Sequence, residues 1–435
     1  MPAYLIEPTD VLFFRDGIPM SAGQGRGSGC RLPFPSTMHE ALRASLFAKH
    51  GRKDEESAFR PKDAPRHGGW LGKGKSVTTT GSKEYQSLGV TGPLPWHKDH
   101  GLLLPVPLDA AFSKDKTQLH RLALLPRGET ATAGAFTSAC LPVAITPPDK
   151  HDQLQGWWTV GKYQRYLNGE TNGRDGAFKP VPTDALWQAE HRIGLGIDPA
   201  RAAAAEGQLF AGTYLRMDND ARLCFQAELR DQKTALHGEG SALASLDWML
   251  LGGERRLSRL WPQKDDLFAT LRTALPPPAG DGPVLLKWIL ITPAIFAHGS
   301  LPGWCSHPTD KPDGLPIGRV RLGASKRKTS SLHQALPGKA ALVSWCLGRP
   351  QSVTGWDLLK GEAKPTQLSV PAGSVYYFLC ENSATAAALA QKLHWQPRSD
   401  HYGEKGCGYG LCSFDVTLHP TSPDLRLLAN TLFQA

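Results

Sequence analysis

Three consecutive prolines, Pro276-Pro277-Pro278, followed by Ala279-Gly280-Asp281-Gly282-Pro283, admit neither a continuing helix nor a central strand. Proline has no N–H to give to either ladder, and a run of prolines prefers an extended, solvated backbone. The chain is therefore read as two units, 1–275 and 284–435, and 435 residues suit two domains better than one. With 40% apolar and 20% charged residues both units can be globular. No apolar run approaches the roughly 18 to 20 residues that span a bilayer, so no membrane contact is expected. The N-terminus lacks the basic segment, apolar stretch and cleavage site of a secretory signal, which makes the cytoplasm the expected compartment. The eight cysteines show no C-x-x-C spacing. They are read as free thiols, and neither a metal nor another cofactor is expected.

Each unit opens on an apolar strand with an early proline. Tyr4-Leu5-Ile6 and Val11-Leu12-Phe13-Phe14, interrupted by Pro8, run to the turn Asp16-Gly17, and Val284 to Ile291 opens the second unit. A glycine-rich loop, Gly23 to Arg31, follows the first strand. Thr37 with Glu40 makes a capping-box pattern, and Met38, Ala41, Leu42, Ser45 and Leu46 share one face, which predicts a helix over 37–49. From about 51 to 107 the pattern dissolves, as in an insertion. Strands follow over 191–197, 209–217 and 222–229, the last two read as a hairpin about Asp218-Asn219-Asp220. Leu223, Phe225, Ala227 and Leu229 alternate with polar residues, which predicts one buried face. Leu243, Leu246 and Leu250 at helical spacing predict a late helix stopped by Gly252-Gly253. The second unit shows strands over 341–347 and 374–379, a helix over 383–395, a glycine loop ending at Gly410 and a strand over 411–418. The shared order predicts an α+β fold: two ferredoxin-like (RRM-like) βαββαβ modules with long loop insertions.

Lys plus Arg exceed Asp plus Glu by 49 to 40, a formal charge of +9, which permits a polyanionic partner without requiring one. Clustering is more informative. Gly23, Gly25, Arg26, Gly27 and Arg31 lie in the first glycine loop, Arg255 and Arg256 follow Gly253, and Arg319, Arg321, Lys326 and Arg327 form a later basic stretch. Glycine lets main-chain amides reach phosphates while Arg and Lys fix the register. Gly406, Gly408, Tyr409 and Gly410 belong to a partial match to the RNA-recognition consensus, with Cys407 where an aromatic should stand. Gly69 to Ser76 fits the G-x-x-x-x-G-K-S pattern, but no strand precedes it and no helix follows, so a phosphate-binding loop is rejected. Its Lys73 and Lys75 remain candidates for the nucleic-acid backbone. His97 and His100 lack a third ligand nearby. His39, near Arg31 and Arg43, could act as general base on a ribose hydroxyl or contact a phosphate.

Taken in order, several segments resemble one family. Leu5-Ile6-Glu7-Pro8-Thr9-Asp10-Val11-Leu12-Phe13-Phe14-Arg15-Asp16-Gly17 is very similar to the opening of the third subunit of type III-B (Cmr-type) CRISPR effector complexes, a RAMP protein. Arg192-Ile193-Gly194, Leu251-Gly252-Gly253-Glu254-Arg255, Thr292-Pro293-Ala294-Ile295-Phe296, Val370-Pro371-Ala372-Gly373-Ser374-Val375 and Gly408-Tyr409-Gly410-Leu411 extend the resemblance. It implies RRM-like folds, binding of the 5′ handle of the guide RNA (crRNA), and docking to the large polymerase-like subunit and the backbone RAMP subunit. Target RNA is met only indirectly, and no catalysis is implied. The expectation is a non-catalytic RNA-binding scaffold, with Arg192 among its RNA contacts. The alternative is a guide-processing endoribonuclease of the same superfamily using His39. The glycine loops are expected to hold RNA rather than the fold.

Overall fold

The computed structural model describes residues 2–14, 26–28, 32–50, 88–112, 119–126, 138–145, 152–153, 156–170, 177–198, 200–229, 242–305, 318–319, 336–357, 362–422 and 424–434. Gly23, Gly25, Arg31, Lys73, Lys75, Arg321, Lys326 and Arg327 lie outside the described residues.

The first half contains β1 (Tyr4–Pro8), β2 (Arg26–Ser28), α1 (Pro35–His50), β3 (Leu88–His97), β4 (Gly101–Pro105), β5 (Trp157–Thr159) and α2 (Val160–Leu167). It continues with β6 (Trp187–Asp198), β7 (Ala203–Met217), β8 (Ala221–Leu229), β9 (Trp248–Leu251) and β10 (Arg256–Pro262). The second half contains β11 (Val284–Leu290), β12 (Gly318–Arg319), β13 (Ala340–Cys346), β14 (Val375–Cys380), α3 (Ser383–Leu393), β15 (Gly410–Ser413) and α4 (Leu425–Gln434). Short ribbons fill the connections. No described helix is long and apolar enough to cross a membrane.

A seven-stranded sheet has the order β5-β4-β3-β8-β1-β10-β9, and a five-stranded sheet the order β12-β13-β14-β11-β15. Neighbours in both run antiparallel. α1 lays Met38, Leu42 and Leu46, all fully buried, on one face of the first sheet against Tyr4, Ile6, Leu223 and Phe225. That i, i+4, i+8 stripe is the apolar face read from the sequence, and each such side chain contributes about 1.5 to 3 kcal/mol by leaving water. The helix starts at Pro35, whose missing N–H costs nothing in a first turn. Glu40 is thereby released from the expected capping box and pairs with Lys405 instead.

Several expectations are corrected. Ala221–Leu229 does not hairpin with the preceding strand. β7 pairs with β6, leaving the sheet as a long ribbon with β2 parallel beside it, while β8 lies between β3 and β1. Because β8 is central, both its faces are covered: Phe225 looks toward α1, and Cys224 and Gln226 are buried as well. Residues 88–107, expected to end an insertion, supply β3 and β4. The expected helix around Leu243–Leu250 is a turn followed by β9, whose exposed–buried alternation has period two. Gly252 serves a turn, not a helix stop: it has φ +74°, and a Cβ there would meet the Phe13 carbonyl oxygen at 2.6 Å. Residues 11–14 form no strand; Leu12 exchanges main-chain hydrogen bonds with Leu215, 2.8 Å each way.

Among the described residues each half carries one of the two helices a βαββαβ unit needs, α1 after β1 and α3 after β14. The chain is thus a mixed α/β protein of several antiparallel sheets and few helices. The halves share a core: Leu5, Leu104, Trp158 and Cys224 of the first half pack in one cluster with Ile289, Tyr377 and Leu411 of the second.

Candidate nucleic-acid interface

The second glycine loop proves to be an internal knot. Gly406 has φ +102° and Gly408 φ +79°, and a Cβ on Gly408 would meet the Ser399 nitrogen at 2.2 Å, on Gly410 the Trp288 Nε1 at 2.2 Å. Its amides are spent inside the fold: Gly408 N donates to Pro293 O (2.9 Å) and Tyr409 N to Thr292 Oγ1 (2.9 Å). Tyr409 is buried, its ring 5.5 Å from that of Trp395. The expected base-stacking role of Gly406, Gly408, Tyr409 and Gly410 is therefore corrected: Gly406 lets the loop lie against β3, Gly408 against Ser399 and Gly410 against β11, with Tyr409 buried between.

His39 and Arg43 are also interior. His39 is 1% exposed, and its Nε2 donates to the Leu88 carbonyl at 3.1 Å, tying α1 to β3. A general base must touch the hydroxyl it deprotonates; this imidazole faces the core. Arg43 is 2% exposed. Beside His39, burial alone would raise the Glu40 carboxyl, but the Lys405 ammonium and the His39 ring hold it well below the usual range.

What the structure does bring together lies at the base of the β6–β7 ribbon. Gly27 of β2 sits opposite Gly212 of β7, and Gly212 opposite Arg192 of β6, so one row crosses three strands. Arg26 is one step along β2, opposite Ala211. Against this row lies the ring of Tyr214, to which a Cβ on Gly212 would approach within 3.0 Å. The guanidinium carbons of Arg192 and Arg256 lie 5.4 and 5.3 Å from its centroid. The Tyr214 hydroxyl donates to Glu254 Oε1 (2.7 Å), and burial with this carboxylate raises its pKa.

Carboxylates order the cations. Asp10 takes both Nη atoms of Arg192 at 2.9 and 3.0 Å, Arg216 Nη2 at 3.1 Å, and lies 3.7 Å from Arg256 Nη1. Glu190 accepts from Arg192 Nε (2.7 Å) and from Arg216, and Glu254 from Arg256. The Arg192 hydrogen bond foremost holds the Asp10 carboxyl below its ordinary value. These side chains are partly exposed, the Arg216 side chain 48%. Arg192 uses three N–H groups in these bonds, from Nε, Nη1 and Nη2, and a guanidinium has five. Fixed forks with donors to spare suit a phosphate oxygen.

Arg255 is exposed in the β9–β10 turn at φ +47°. Arg319 lies in β12 at the far edge of the other sheet, apart from this cluster. Asp10, Glu190, Tyr214, Arg216 and Glu254 escaped the sequence reading. The alternation of charge at 190 and 192 was visible, but only the register puts Arg216 and Asp10 beside it.

A family model described as CRISPR-associated protein (Cas_Cmr3) matches residues 4–414. Among solved structures, the chain is similar to one in the type III-B Cmr-beta complex bound to cognate target RNA and AMPPnP, state 1, at 13% identity and TM-score 0.42 over 86% of each chain. A chain of Cmr-beta bound to cognate target RNA gives 14% and 0.41, again over 86% of each. One in the Csm3-Csm4 subcomplex of a type III-A interference complex gives 9% and 0.33, over 88% of this chain and 94% of that one. No curated protein matches the chain.

Proposed function

The chain belongs to the CRISPR-associated Cas_Cmr3 family, and from that membership we propose that it is a non-catalytic RNA-binding subunit of a type III-B effector ribonucleoprotein. In this reading it holds the 5′ handle of the crRNA and bridges the large polymerase-like subunit to the backbone RAMP subunit, in cytoplasmic antiviral defence. Target RNA is met through the guide. The observation that carries RNA binding is the row Gly27–Gly212–Arg192, flanked by Arg216, Arg256 and Tyr214. Guanidinium forks with N–H groups to spare suit a phosphate, and the buried Tyr214 ring behind them holds Arg192 and Arg256 in place rather than stacking a base. Strand orders β10-β1-β8-β3 and β15-β11-β14-β13 support two ferredoxin-like modules, since both read fourth-first-third-second along the chain.

The test uses the full chain and a single-stranded RNA of repeat sequence, with anisotropy followed across a salt series. Arg192→Ala and Arg216→Ala are each expected to weaken binding about tenfold or more and to flatten the salt slope by about one unit. Their melting temperatures should stay close to that of the parent chain, because partly exposed ion pairs contribute little. Unchanged affinity and slope in both refute the interface. The RNA should keep its length throughout; cleavage that vanishes in His39→Ala would replace the scaffold reading with the endoribonuclease.

A further inference from the structure

Along the β6–β7 ribbon three rows follow one another on a single face: Arg192 opposite Gly212, Glu190 opposite Tyr214, and Gln188 opposite Arg216. A carboxylate therefore stands between two guanidiniums. Glu190 Oε1 accepts from Arg192 Nε at 2.7 Å, and its Oε2 accepts from Arg216 Nε. Asp10 closes a ring from the other side, taking both Nη atoms of Arg192 and Nη2 of Arg216. Two cations and two anions cancel, so the ring carries no net charge.

A grip on phosphate gains nothing from an anion in its middle, because a carboxylate repels the phosphates it stands among. Nor is Glu190 needed to order the arginines: Asp10 already holds both guanidiniums, through three hydrogen bonds. What Glu190 adds is acceptor capacity. Its side chain is 29% exposed, and among the described residues each oxygen takes one N–H, whereas an ionised carboxylate has about four lone-pair sites. The hydrogen bonds from Arg216 and then Arg192 hold its pKa below the ordinary value, so the group is an ionised acceptor at neutral pH. Arg192 bonds through three of its five N–H groups and Arg216 through two, which leaves donors on either side of it.

Donor fork, acceptor, donor fork is the order in which an RNA strand presents phosphate, 2′-hydroxyl, phosphate. We propose that Glu190 makes the interface choose RNA over DNA, its carboxylate accepting a hydrogen bond from the 2′-hydroxyl of a nucleotide whose two flanking phosphates lie on Arg192 and Arg216. This role rests on the RNA-binding reading of the interface and identifies the sugar as the group recognised there. A base amino group also donates to carboxylates, but the two guanidiniums beside Glu190 keep the strand's backbone next to it rather than a base edge. The 2′-hydroxyl is the group that tells RNA from DNA, and a hydrogen bond to a charged acceptor is among the stronger ones. Deoxyribose leaves the carboxylate among phosphates with no donor to offset the repulsion.

The full chain is titrated by anisotropy, at one salt concentration, with two single strands of identical base sequence, uracil in both, one built on ribose and one on deoxyribose. The parent chain should bind the ribose strand about tenfold or more tighter. Glu190→Ala should lower RNA affinity about tenfold and bring it close to that for DNA. Its melting temperature should stay near that of the parent chain, since Asp10 still holds both arginines and partly exposed ion pairs contribute little. If Glu190→Ala melts early, Glu190→Gln, of the same shape, decides by the same ratio, which should fall. Arg192→Ala, in contrast, should weaken both strands alike. A parent chain that binds both strands equally, or a Glu190 variant that shifts both affinities together in either direction, overturns the sugar assignment; reading of a base would show itself in that way, because the two strands carry the same bases. The interface still stands in that case if Arg192→Ala weakens both strands. Arg192→Ala without effect on either strand removes the interface itself, and the role of Glu190 with it.

Discussion

Asp109→Asn is expected to loosen the junction between the two halves more than any other single replacement of a polar group. Asp109, in the first half, is 1% exposed and meets the second half at Lys287 of β11, itself 2% exposed. Its Oδ2 lies 3.3 Å from Lys287 Nζ and accepts from Tyr377 at 2.8 Å, while Oδ1 accepts from Tyr166. Lys287 Nζ also donates to Tyr166 at 3.2 Å and sits 4.3 Å from that ring. Burial pulls the ammonium's pKa down, and Asp109 counters the pull. Asparagine removes the charge and turns one acceptor into a donor facing donors. A buried ion left without its partner costs about 3 to 5 kcal/mol, whereas replacing both ions by apolar groups is often neutral. Asp109→Asn should therefore lose about that much in urea unfolding followed by near-UV circular dichroism, and Asp109→Asn/Lys287→Met should recover most of it. A cost under about 1 kcal/mol for the single variant, or a double variant as weak as the single one, refutes the reasoning.

Gly408→Ala should destabilise by about 2 kcal/mol or more, because a side chain at φ +79° is strained and its Cβ meets main chain; thermal unfolding checks it, and an unchanged melting temperature with lost RNA binding would restore the loop as an RNA contact. Glu40 contributes through pH. Its folded carboxyl lies below the unfolded value of 4.5, so its stabilisation is complete above that value and is lost as pH falls through the folded one. The stability difference between the parent chain and Glu40→Gln should be flat from neutral pH to about 5 and shrink in acid; a difference that grows on acidification contradicts the assignment.

The local signals that survived are those written in a short window. The stripe Met38, Leu42, Leu46 made a helix, the buried runs 284–290 and 375–380 made neighbouring strands, and Asp218 to Asp220 made a turn. The turn's placement says nothing of what its flanking strands pair with, which is why a hairpin was expected where β7 and β8 part company. Leu243, Leu246 and Leu250 misled because three leucines fit one helical face as well as a turn and a two-sided strand. The interface shows the same division. Arg192 and Arg256 stood out as cations, but Asp10, Arg216 and Tyr214 join them through pairings as many as 206 residues apart.

The sequence by itself determined the family, the helices α1 and α3, most strands of the second sheet but only β1 and β8 of the first, and the basic excess, because composition, periodicity and short motifs act within a few residues. Only the tertiary structure decided what each glycine lies against and which cations are buried. Gly408 and Gly27 look alike in the chain, yet one is locked against Ser399 and the other lies in a row with Arg192. His39 and Arg43 look like surface groups until α1 turns them toward β3 and the interior. A side chain's polarity fixes what it must bond to, but burial and partner choice are set by contacts between segments far apart in the chain, and those exist only once the sheets have formed.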